Sequence, residues 1–437
     1  MQFKAPKGTT DILPDVARRW QYLEHKAIEL FSIYGYEPIV TPMFEHTEVF
    51  LRSIGISTDI VQKEMYTFAD KGGRSLTLRP EGTAPVIRAY VDHNMNQLPQ
   101  PVKLYYTGPM FRYERPQAGR YRQFWQMGIE AIGSDDPAID AEAILLMINY
   151  FKSVGLKELT LYINSMGCDE DRPVYIRLLK DYAEENREKL CRDCQKRIDL
   201  NPLRLFDCKE ESCQLVMKDA PKIIDYLDKE CKAHFNKVRQ YLDTQGIAYI
   251  IKPELVRGLD YYTKTTFEVV SPFLGAQNAI GGGGRYNKLV EEFGGPPTPG
   301  IGFAIGTERL SIAVEREGAF LSIDNKMDVF VAVPDEAARS TAINLLSALR
   351  EAGISSDLDY MGRSLKGQLK YADKRGFKYT VFLGSRELES GEVVVKNMET
   401  SEQLEVPLKE LVDKLSEILG RPGAVARVKG PGTGVQG

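Results

Sequence analysis

Apolar residues near the start of the chain recur at the spacing of a helix. In the segment 16–34 they follow one another at steps of three and four residues, from Trp20 to Tyr34, which predicts a helix. Asp15 stands where a helix cap is expected, and Gly35 stands where the helix should end. The first regular element is therefore predicted to be helical.

The following segments have the pattern of strands and hairpins. Apolar residues predict two strands at 104–113 and 122–132, joined by the polar loop ERPQAGRY. RSLTLRPEGTAPVIRAYV predicts an extended run that leads into a helix, and sheet-like sequence resumes at 255–310. Because hairpins replace a regular strand–helix–strand rhythm, an antiparallel sheet with helices fits better than a doubly wound sheet. The predicted fold class is α+β.

Changes of pattern divide the chain. Lysine, glutamate, aspartate and leucine at helical spacing dominate 170–250, which predicts a helical insertion between a first part of the main domain at 1–169 and a second part at 251–320. Alternating strands and helices predict a small α/β domain with a largely parallel sheet at 327–419. The glycine- and proline-rich residues 420–437 predict a disordered tail.

Composition narrows the class of protein. The 437 residues are 43% apolar and 27% charged, which excludes wholesale disorder and a fibrous chain. Without an 18-residue apolar window or an apolar N-terminal region, we expect neither a membrane span nor a secretory signal. The net charge of −4 provides no overall positive potential, so any nucleic acid would have to bind at local basic patches. The six cysteines are expected to be reduced thiols in the cytoplasm.

The hairpin at 108–132 carries the strongest chemical signal. Alternation along its second strand places Gln126, Gly128 and Glu130 on one face, where the glycine leaves room for a small polar ligand. Four arginines against one acid within 110–126 form a cluster of the kind that binds phosphate. A solvated hairpin with surface salt bridges is the alternative. The four arginines are Arg112, Arg115, Arg120 and Arg122.

Two glycine-containing stretches also place arginines for binding. In LVRGLDYYTKTTFEVV, Gly258 predicts a turn that aims Arg257, although a structural pair between Arg257 and Asp260 is an equal alternative. In GIGFAIGTERL, Arg309 follows a glycine-rich turn and could reach a phosphate or stack on a base, unless it only decorates a helix surface. IGGGGRYNKLV lets a group approach the backbone closely, but it is not a P-loop.

Two acidic or polar residues precede a predicted helix. Glu81 and Thr83 lie between an extended run and that helix, so both could project into a pocket. The alternative is a plain helix N-terminus with an acidic residue near its dipole.

The cysteine spacing is close to that of a zinc site. Cys191 and Cys194 are separated by two residues, and Cys208 and Cys213 by four. Four thiolates suit structural zinc, but the second spacing is not the usual two, and ordinary thiols are the favoured alternative.

A basic helix is predicted in the last domain. In RSLKGQLKYADKRGFK, Lys366, Lys370, Lys374 and Lys378 fall on one helical face. Such a face could follow a nucleic-acid backbone, although charge runs are usually only solvated.

Taken in this order, the segments resemble class II aminoacyl-tRNA synthetases, and among them the histidyl-tRNA synthetase family, from about residue 3 to 419. YEPIVTPMFE resembles the first class motif, with Pro42 as its proline, and so implies a homodimer interface. MFRYERPQAGRYRQFWQMGIEAIG resembles the second motif and GIGFAIGTERL the third. LVRGLDYYTKTTFEVV and AIGGGGRY match two segments peculiar to the histidine family.

The resemblance implies a role for each matching residue. The catalytic residues that it implies, both acting on the α-phosphate of ATP, are Arg257 and Arg112. The ATP-binding residues are Arg112, Glu114, Arg120 and Arg309. The histidine-binding residues are Glu81, Thr83, Gln126, Glu130, Tyr261 and Tyr262. The tRNA-binding residues are Arg115 and Gln117 in the hairpin loop and Lys366 and Lys370 in the last domain, which resembles an anticodon-binding domain.

The implied activity is ATP-dependent activation of L-histidine to histidyl-adenylate, with Mg²⁺, and transfer to the 3′ end of tRNA(His) by a cytoplasmic homodimer. A structural Zn²⁺ on Cys191, Cys194, Cys208 and Cys213 is not a general family feature.

Two rival functions remain. A synthetase-like regulatory subunit of ATP phosphoribosyltransferase is expected to lack the last domain and to lose catalytic arginines, whereas this chain has Arg112, Arg257 and Arg309. A sensor of uncharged tRNA attached to a kinase would require a kinase motif, which the sequence lacks.

Overall fold

The computed structural model describes residues 3–55, 58, 60–117, 119–275, 278–320 and 326–421. The chain divides into two compact units, residues 1–321 and 322–437. From residue 422 onward, the predicted disordered tail lies outside the described residues. No helix in the described ranges combines the length and apolarity needed to cross a lipid bilayer.

The strands of the first unit are β1 (Glu37–Pro38), β2 (Phe44–His46), β3 (Tyr66–Ala69), β4 (Ser75–Leu78), β5 (Val102–Phe111), β6 (Gln123–Ile132), β7 (Thr160–Ser165), β8 (Ile250–Ile251), β9 (Thr263–Val270), β10 (Ala279–Arg285) and β11 (Gly300–Gly306). Its α-helices are α1 (Pro14–Ile33), α2 (Thr47–Ile54), α3 (Thr83–Asp92), α4 (Pro137–Ser153), α5 (Asp171–Glu185), α6 (Arg192–Leu200), α7 (Glu211–Lys218), α8 (Lys229–Thr244), α9 (Leu289–Glu292) and α10 (Thr307–Arg316).

An eight-stranded sheet forms the centre of the first unit. Its strand order is β1-β5-β6-β11-β10-β9-β7-β8. The inner pairs are antiparallel, and only the short outer strands β1 and β8 pair in parallel with their neighbours. A separate antiparallel sheet has the order β2-β4-β3. The prediction of an antiparallel sheet with helices is confirmed.

Helix α1 shows how the first pattern folds. Leu23, Ala27 and Phe31 are fully buried in the main hydrophobic core, as their four-residue spacing requires. The prediction that Asp15 caps the helix is wrong, because Leu13 is the N-cap and Asp15 lies in the first turn. There its negative charge favours the helix dipole without a capping hydrogen bond.

Alternation along the sheet separates a core face from a polar face. Met127, Ile129 and Ala131 of β6 are buried in the core with residues of α1, α4 and α10. Gln126 and Glu130, being one residue out of step, point to the other side of the sheet. The functional residues are therefore expected on the face opposite the core.

The residues between β7 and β8 are largely helical. They form α5 to α8 together with short 3₁₀ turns, including one at Pro202–Asp207. Buried side chains from α5, α6 and α7 belong to one hydrophobic cluster with Tyr261, Tyr262 and Tyr286. The helical character of the insertion is as predicted, while the domain limits 1–169, 170–250 and 251–320 stay predictions.

The second unit is a smaller α/β structure. Its strands are β12 (Val329–Ala332), β13 (Ser356–Leu358), β14 (Tyr379–Phe382), β15 (Glu392–Asn397) and β16 (Gln403–Pro407). Its α-helices are α11 (Arg339–Glu351), α12 (Leu365–Arg375), α13 (Ser385–Ser390) and α14 (Leu411–Ile418).

The sheet of the second unit is mixed. Its strand order is β13-β12-β14-β15-β16, in which β12 pairs in parallel with β13 and β14, whereas β14, β15 and β16 are antiparallel. The prediction of a largely parallel sheet is therefore wrong. The loop between β15 and β16 turns the chain back directly as a hairpin, without a crossover helix.

Candidate functional site

A cavity of about 320 Å³ lies on the polar face of the large sheet. It is bounded by β6, β9, β10 and β11, by the loop after β5 and by the segment before β9. The residues predicted from sequence that line it are Glu81, Thr83, Arg112, Glu114, Arg120, Gln126, Arg257, Tyr261, Tyr262 and Arg309. Stretches far apart in sequence thus meet in one site.

The glycines of β10 and β11 make room for side chains of the site. A Cβ on Gly282 would lie 2.8 Å from Nη1 of Arg257, and a Cβ on Gly284 would lie 2.8 Å from the Tyr262 ring. A Cβ on Gly302 would collide with the Glu130 carboxylate. The glycine run therefore admits large polar side chains against the sheet.

The space at Gly128 is already occupied. A Cβ there would lie 2.5 Å from the Tyr106 hydroxyl, and a Cβ on Gly82 would lie 2.2 Å from the same ring. The prediction that Gly128 leaves room for a ligand is therefore wrong. This glycine accommodates Tyr106 instead.

One end of the cavity, which we call the arginine end, is formed by Arg112, Arg120, Arg257 and Arg309. Nε of Arg112 donates to the Pro80 carbonyl at 2.8 Å, and its guanidinium lies 5.2 Å from the Phe124 ring centre. These contacts hold a guanidinium in one orientation without neutralising it.

Glu114 lies among these arginines. Its carboxylate is 3.1 Å from Nη1 of Arg120 and 3.8 Å from Nη1 of Arg112. Burial and the neighbouring Arg120 lower the pKa of Arg309, which is consistent with like charges held close together. The positive charge in excess of Glu114 makes this end suitable for a polyanion.

Arg257 is paired with an acid that the sequence analysis missed. Its Nη1 lies 2.6 Å from Oε2 of Glu268 on β9. Asp260, the alternative partner, instead accepts a hydrogen bond from Asn201 at 3.0 Å. The sequence signal for Glu268 was weak, a single acid in the strand TKTTFEVV.

Arg309 connects the two sides of the arginine end. Its Nε donates to the Gly119 carbonyl at 3.3 Å and its Nη1 to the Ala279 carbonyl at 3.1 Å. The preceding residue, Glu308, accepts a hydrogen bond from the Trp125 amide at 2.9 Å, and burial raises its pKa to about 7. The first turn of α10 therefore binds the β5–β6 hairpin through Glu308 and holds the Arg309 guanidinium in place.

The part of the cavity that we call the carboxylate end is lined by Glu81, Thr83 and Tyr286, and Glu130 lies directly behind Thr83 and Tyr286 without lining the cavity itself. Glu130 is completely buried, accepts a hydrogen bond from the Thr83 hydroxyl at 2.7 Å and accepts another from the Tyr286 hydroxyl. Burial raises the pKa of Glu130 to about 8. Tyr286 was also missed, because nothing in GGGGRY shows which way its ring points.

Glu81 serves the fold as well as the site. Its two carboxylate oxygens accept hydrogen bonds from the amides of Thr83 at 2.6 Å and Ala84 at 2.8 Å. Both interpretations of this stretch are therefore correct, since Glu81, which precedes the N-cap Gly82, binds the first amides of α3 and also lines the cavity. Burial raises its pKa.

The middle of the cavity is aromatic and contains an unsatisfied polar atom. The Tyr261 and Tyr262 rings lie 4.7 Å apart, and Tyr261 meets Tyr286 edge-on at 5.9 Å. Within the described part of the chain, Oε1 of Gln126 is buried without a hydrogen-bond partner. A buried acceptor of this kind indicates that a ligand donates to it.

The remaining predicted residues lie elsewhere. Arg115 and Gln117 are exposed in the hairpin loop, where the Gln117 and Arg120 backbones bond to each other. Lys366 and Lys370 are exposed on α12. The prediction that Lys378 shares their helical face is wrong, because α12 ends at Arg375 and the Lys378 ammonium pairs with Asp328 at 3.3 Å.

The cysteines predicted as possible zinc ligands come together outside the cavity. The sulfur atoms of Cys191, Cys194, Cys208 and Cys213 lie within 4.8 Å of one another. They therefore form a candidate metal centre separate from the cavity.

Two family models match the chain and divide between its two units. The model described as Histidyl-tRNA synthetase matches residues 8–310, and the one described as Anticodon binding domain matches residues 328–418.

Similar proteins agree with these matches over nearly the full length. The Histidine--tRNA ligase of Halothermothrix orenii is 53% identical over 96% of this chain and 100% of its own, and that of Geobacillus kaustophilus is 52% identical over the same shares. The solved structure of apo S. aureus histidyl-tRNA synthetase is 43% identical, with a TM-score of 0.82 over 95% of this chain and 100% of that one.

A more distant structure shares only the fold. A Bacillus halodurans protein described as an ATP phosphoribosyltransferase regulatory subunit/histidyl-tRNA synthetase is 22% identical. Its TM-score is 0.64 over 88% of this chain and 99% of that one.

Proposed function

We propose that the cavity performs the reaction of the histidyl-tRNA synthetase family, to which this chain belongs. The chain activates L-histidine with ATP to histidyl-adenylate and transfers the histidyl group to the 3′ end of tRNA(His). The regulatory-subunit alternative is less supported, since the high-identity relatives are ligases.

The observation that carries the assignment is the convergence of four arginines on a single cavity that Glu81 and Thr83 also line, with the buried Glu130 directly behind Thr83. ATP occupies the arginine end and histidine the carboxylate end in our proposal. The histidine carboxylate then meets the α-phosphorus between the two ends.

Histidine is recognised through its imidazole ring and through its α-ammonium group. A neutral imidazole has one donor and one acceptor, so Glu130 accepts its N–H and the Tyr262 phenol donates to its other nitrogen. Glu81, Thr83 and the unpaired Oε1 of Gln126 receive the α-ammonium group. A pocket with buried polar partners rejects side chains that lack the matching groups by roughly 10⁴–10⁵.

Activation is an in-line attack by the histidine carboxylate on the α-phosphorus, which forms one P–O bond and breaks the bond to pyrophosphate. The attacking carboxylate needs no proton removed, so positioning and charge neutralisation are the main requirements. Arg112 and Arg257 neutralise the α-phosphate, and Arg120 and Arg309 hold the outer phosphates and adenine. Glu114 lies beside the adenine.

Magnesium is expected to enter with ATP. Carboxylate oxygens beside phosphates are its usual protein ligands, and the cavity offers Glu268, now paired with Arg257. This donor fits the ion, and we propose that Glu268 would hold it together with the phosphates. Its contribution is neutralisation of phosphate charge.

The direct test is ATP–pyrophosphate exchange measured with each of the twenty amino acids. We expect exchange with histidine alone, followed by charging of tRNA(His). A protein that binds histidine without catalysing exchange would instead match the regulatory-subunit function and contradict this one.

The second unit and the hairpin loop are proposed to meet tRNA. Arg115 and Gln117 are exposed beside the cavity and would contact the acceptor end, and the anticodon-binding unit presents Lys366 and Lys370 on α12. Exposed lysines on one helical face suit a phosphate backbone.

Reversing the charge of Lys366 and Lys370 to glutamate is expected to raise the KM for tRNA and leave pyrophosphate exchange unchanged. Loss of two phosphate contacts should also reduce the slope of log KM against log salt by about one per lysine. The matched control replaces Lys409, which lies before α14, and Lys414, which lies within α14, by glutamate and makes the same change in net charge. Equal loss in exchange and charging would contradict the tRNA role.

We propose a homodimer in the cytoplasm. Val40, Met43 and Phe44 surround Pro42 with apolar side chains that are 93%, 51% and 51% exposed. A group of exposed apolar side chains is typical of an interface. Sedimentation across a range of concentrations measures the mass, and the mass of a single chain at all of them would contradict the dimer.

A further inference from the structure

Four thiols of the helical insertion converge as metal ligands do. All four sulfur atoms lie within 4.8 Å of one another, and those of Cys191 and Cys208 are 3.9 Å apart. A tetrahedral Zn²⁺ with Zn–S bonds of about 2.3 Å requires sulfur atoms about 3.8 Å apart. The Cys191 amide donates to the Cys213 sulfur at 3.1 Å, an interaction that favours a thiolate.

The local structure brings these thiols together from two helix starts. Cys191 is the N-cap of α6 and Cys194 lies in its first turn. Cys208 follows the 3₁₀ turn at Pro202–Asp207, and Cys213 lies near the start of α7. The irregular spacing in sequence is therefore compatible with one site, because the turn before α7 absorbs the extra residues.

A second group of possible ligands is less suited to a metal. Ligand atoms of Cys168, Asp171, Asp228 and Cys231 also lie within 4.8 Å of one another. The carboxylates there already serve the backbone, since Asp171 accepts the Asp228 amide at 2.7 Å and Asp228 caps α8 by accepting the Cys231 amide at 2.6 Å. The thiols of the first group bond mainly to one another, since the Cys213 sulfur accepts the amide of Cys191 and the Cys191 sulfur lies 3.9 Å from that of Cys208.

The structure assigns a structural Zn²⁺ site to Cys191, Cys194, Cys208 and Cys213. Helices α6 and α7 contain nine and eight residues, too few to be stable alone in water. A metal bound at the start of both helices fixes them relative to each other.

The zinc site also positions a loop of the active site, which is the part of this inference that rests on the proposed role of Arg257. Between the second and third thiols, Asn201 donates to the Asp260 carboxylate at 3.0 Å and Arg204 donates to the Gly258 carbonyl at 2.9 Å. Gly258 directly follows Arg257. Order in the metal-bound segment is thus transmitted to the turn that aims this guanidinium.

The first test is the zinc content of the full chain, purified without chelators and measured by plasma mass spectrometry. We expect one zinc per chain, lost in the double variant Cys194→Ser, Cys213→Ser. The matched control Cys168→Ser, Cys231→Ser removes the other two cysteines and should retain one zinc. A wild-type protein without zinc, or zinc lost only from the control, would overturn the assignment.

Reversible removal of the metal avoids variants that fail to fold. A chelator should increase amide hydrogen exchange in α6, α7 and the 257–260 loop, and added Zn²⁺ should restore protection. Unchanged exchange in α6 and α7 after the metal has been removed would refute a structural role.

A third variant separates the loop from the metal. Asn201→Ala combined with Arg204→Ala should keep one zinc and the histidine KM, but lower kcat for pyrophosphate exchange about tenfold, as a misplaced catalytic group would. Wild-type kcat with zinc retained would overturn the positioning role. Failure of the wild type to form histidyl-adenylate would refute the proposed function and leave the zinc count intact.

Discussion

Replacement of Arg257 by alanine is expected to lower kcat for ATP–pyrophosphate exchange about 10²–10³-fold, the usual cost of removing one donor from a developing oxyanion. Arg257 lines the cavity and is held against β10 through the space left by Gly282. Arg257 also lies beside Tyr262, which the proposal assigns to the imidazole. Its guanidinium is not itself a partner of the imidazole in that proposal, so the Kd for histidine should change much less than kcat.

Two further variants make this result specific. Arg257→Lys keeps the charge but cannot form bidentate hydrogen bonds, so it should recover only a small part of the rate. Arg74→Ala removes an exposed guanidinium that pairs with Asp70 at 2.6 Å and should leave the rate unchanged. Normal exchange in Arg257→Ala would contradict the catalytic role. A large loss of histidine binding would show that Arg257 binds histidine rather than the phosphate.

Alternation in β6 shows how much of the site follows from sequence. The two-residue period correctly separates Gln126 and Glu130 from the core residue Ile129, because a strand has no other way to place them. The same pattern could not show that the Tyr106 ring fills the space at Gly128, since that ring comes from the neighbouring strand β5.

The partners of the site residues were the least predictable part. Glu268 lies on β9 and Tyr286 at the end of β10. The pairing of β10 with β11 and of β11 with β6 brings Tyr286 to Glu130, and Glu268 reaches Arg257 in the segment before its own strand. In the second unit, β16 and α13 were not predicted, because β16 buries only Val406 and α13 buries none of its side chains, so neither has an apolar pattern. The local pattern of apolar and polar residues shows which face of a strand or helix is buried. The pairing of the strands decides which of these faces lie together.

Replacement of Glu130 by alanine is expected to raise the histidine KM roughly 5–150-fold, since leaving the imidazole N–H buried without an acceptor costs about 1–3 kcal/mol. The kcat at saturating histidine should fall less, because the arginine end is unchanged. Glu130→Gln preserves the shape and should cause a smaller increase. An unchanged KM in the alanine variant would contradict the assignment of Glu130 to the imidazole.

The same residue is expected to make the ligand-free protein less stable as pH rises. Burial raises the pKa of Glu130 to about 8, against 4.5 for an unburied glutamate. Between these values the folded state holds a proton that the unfolded state has lost, so the free energy of unfolding decreases with increasing pH and levels off above about pH 8. The loss is on the order of a few kcal/mol.

Glu130→Gln should therefore stabilise the ligand-free protein near pH 8 while it weakens histidine binding. Other buried groups titrate in the same direction, Glu81 and Glu308 among them, so the wild-type slope is a sum of several. The difference in melting temperature between wild type and Glu130→Gln, followed from pH 5 to pH 9, isolates Glu130 because both proteins share the other groups. A difference that does not grow with pH would show that Glu130 is ionised in the folded protein, and its hydrogen bonds from Thr83 and Tyr286 would then outweigh its burial.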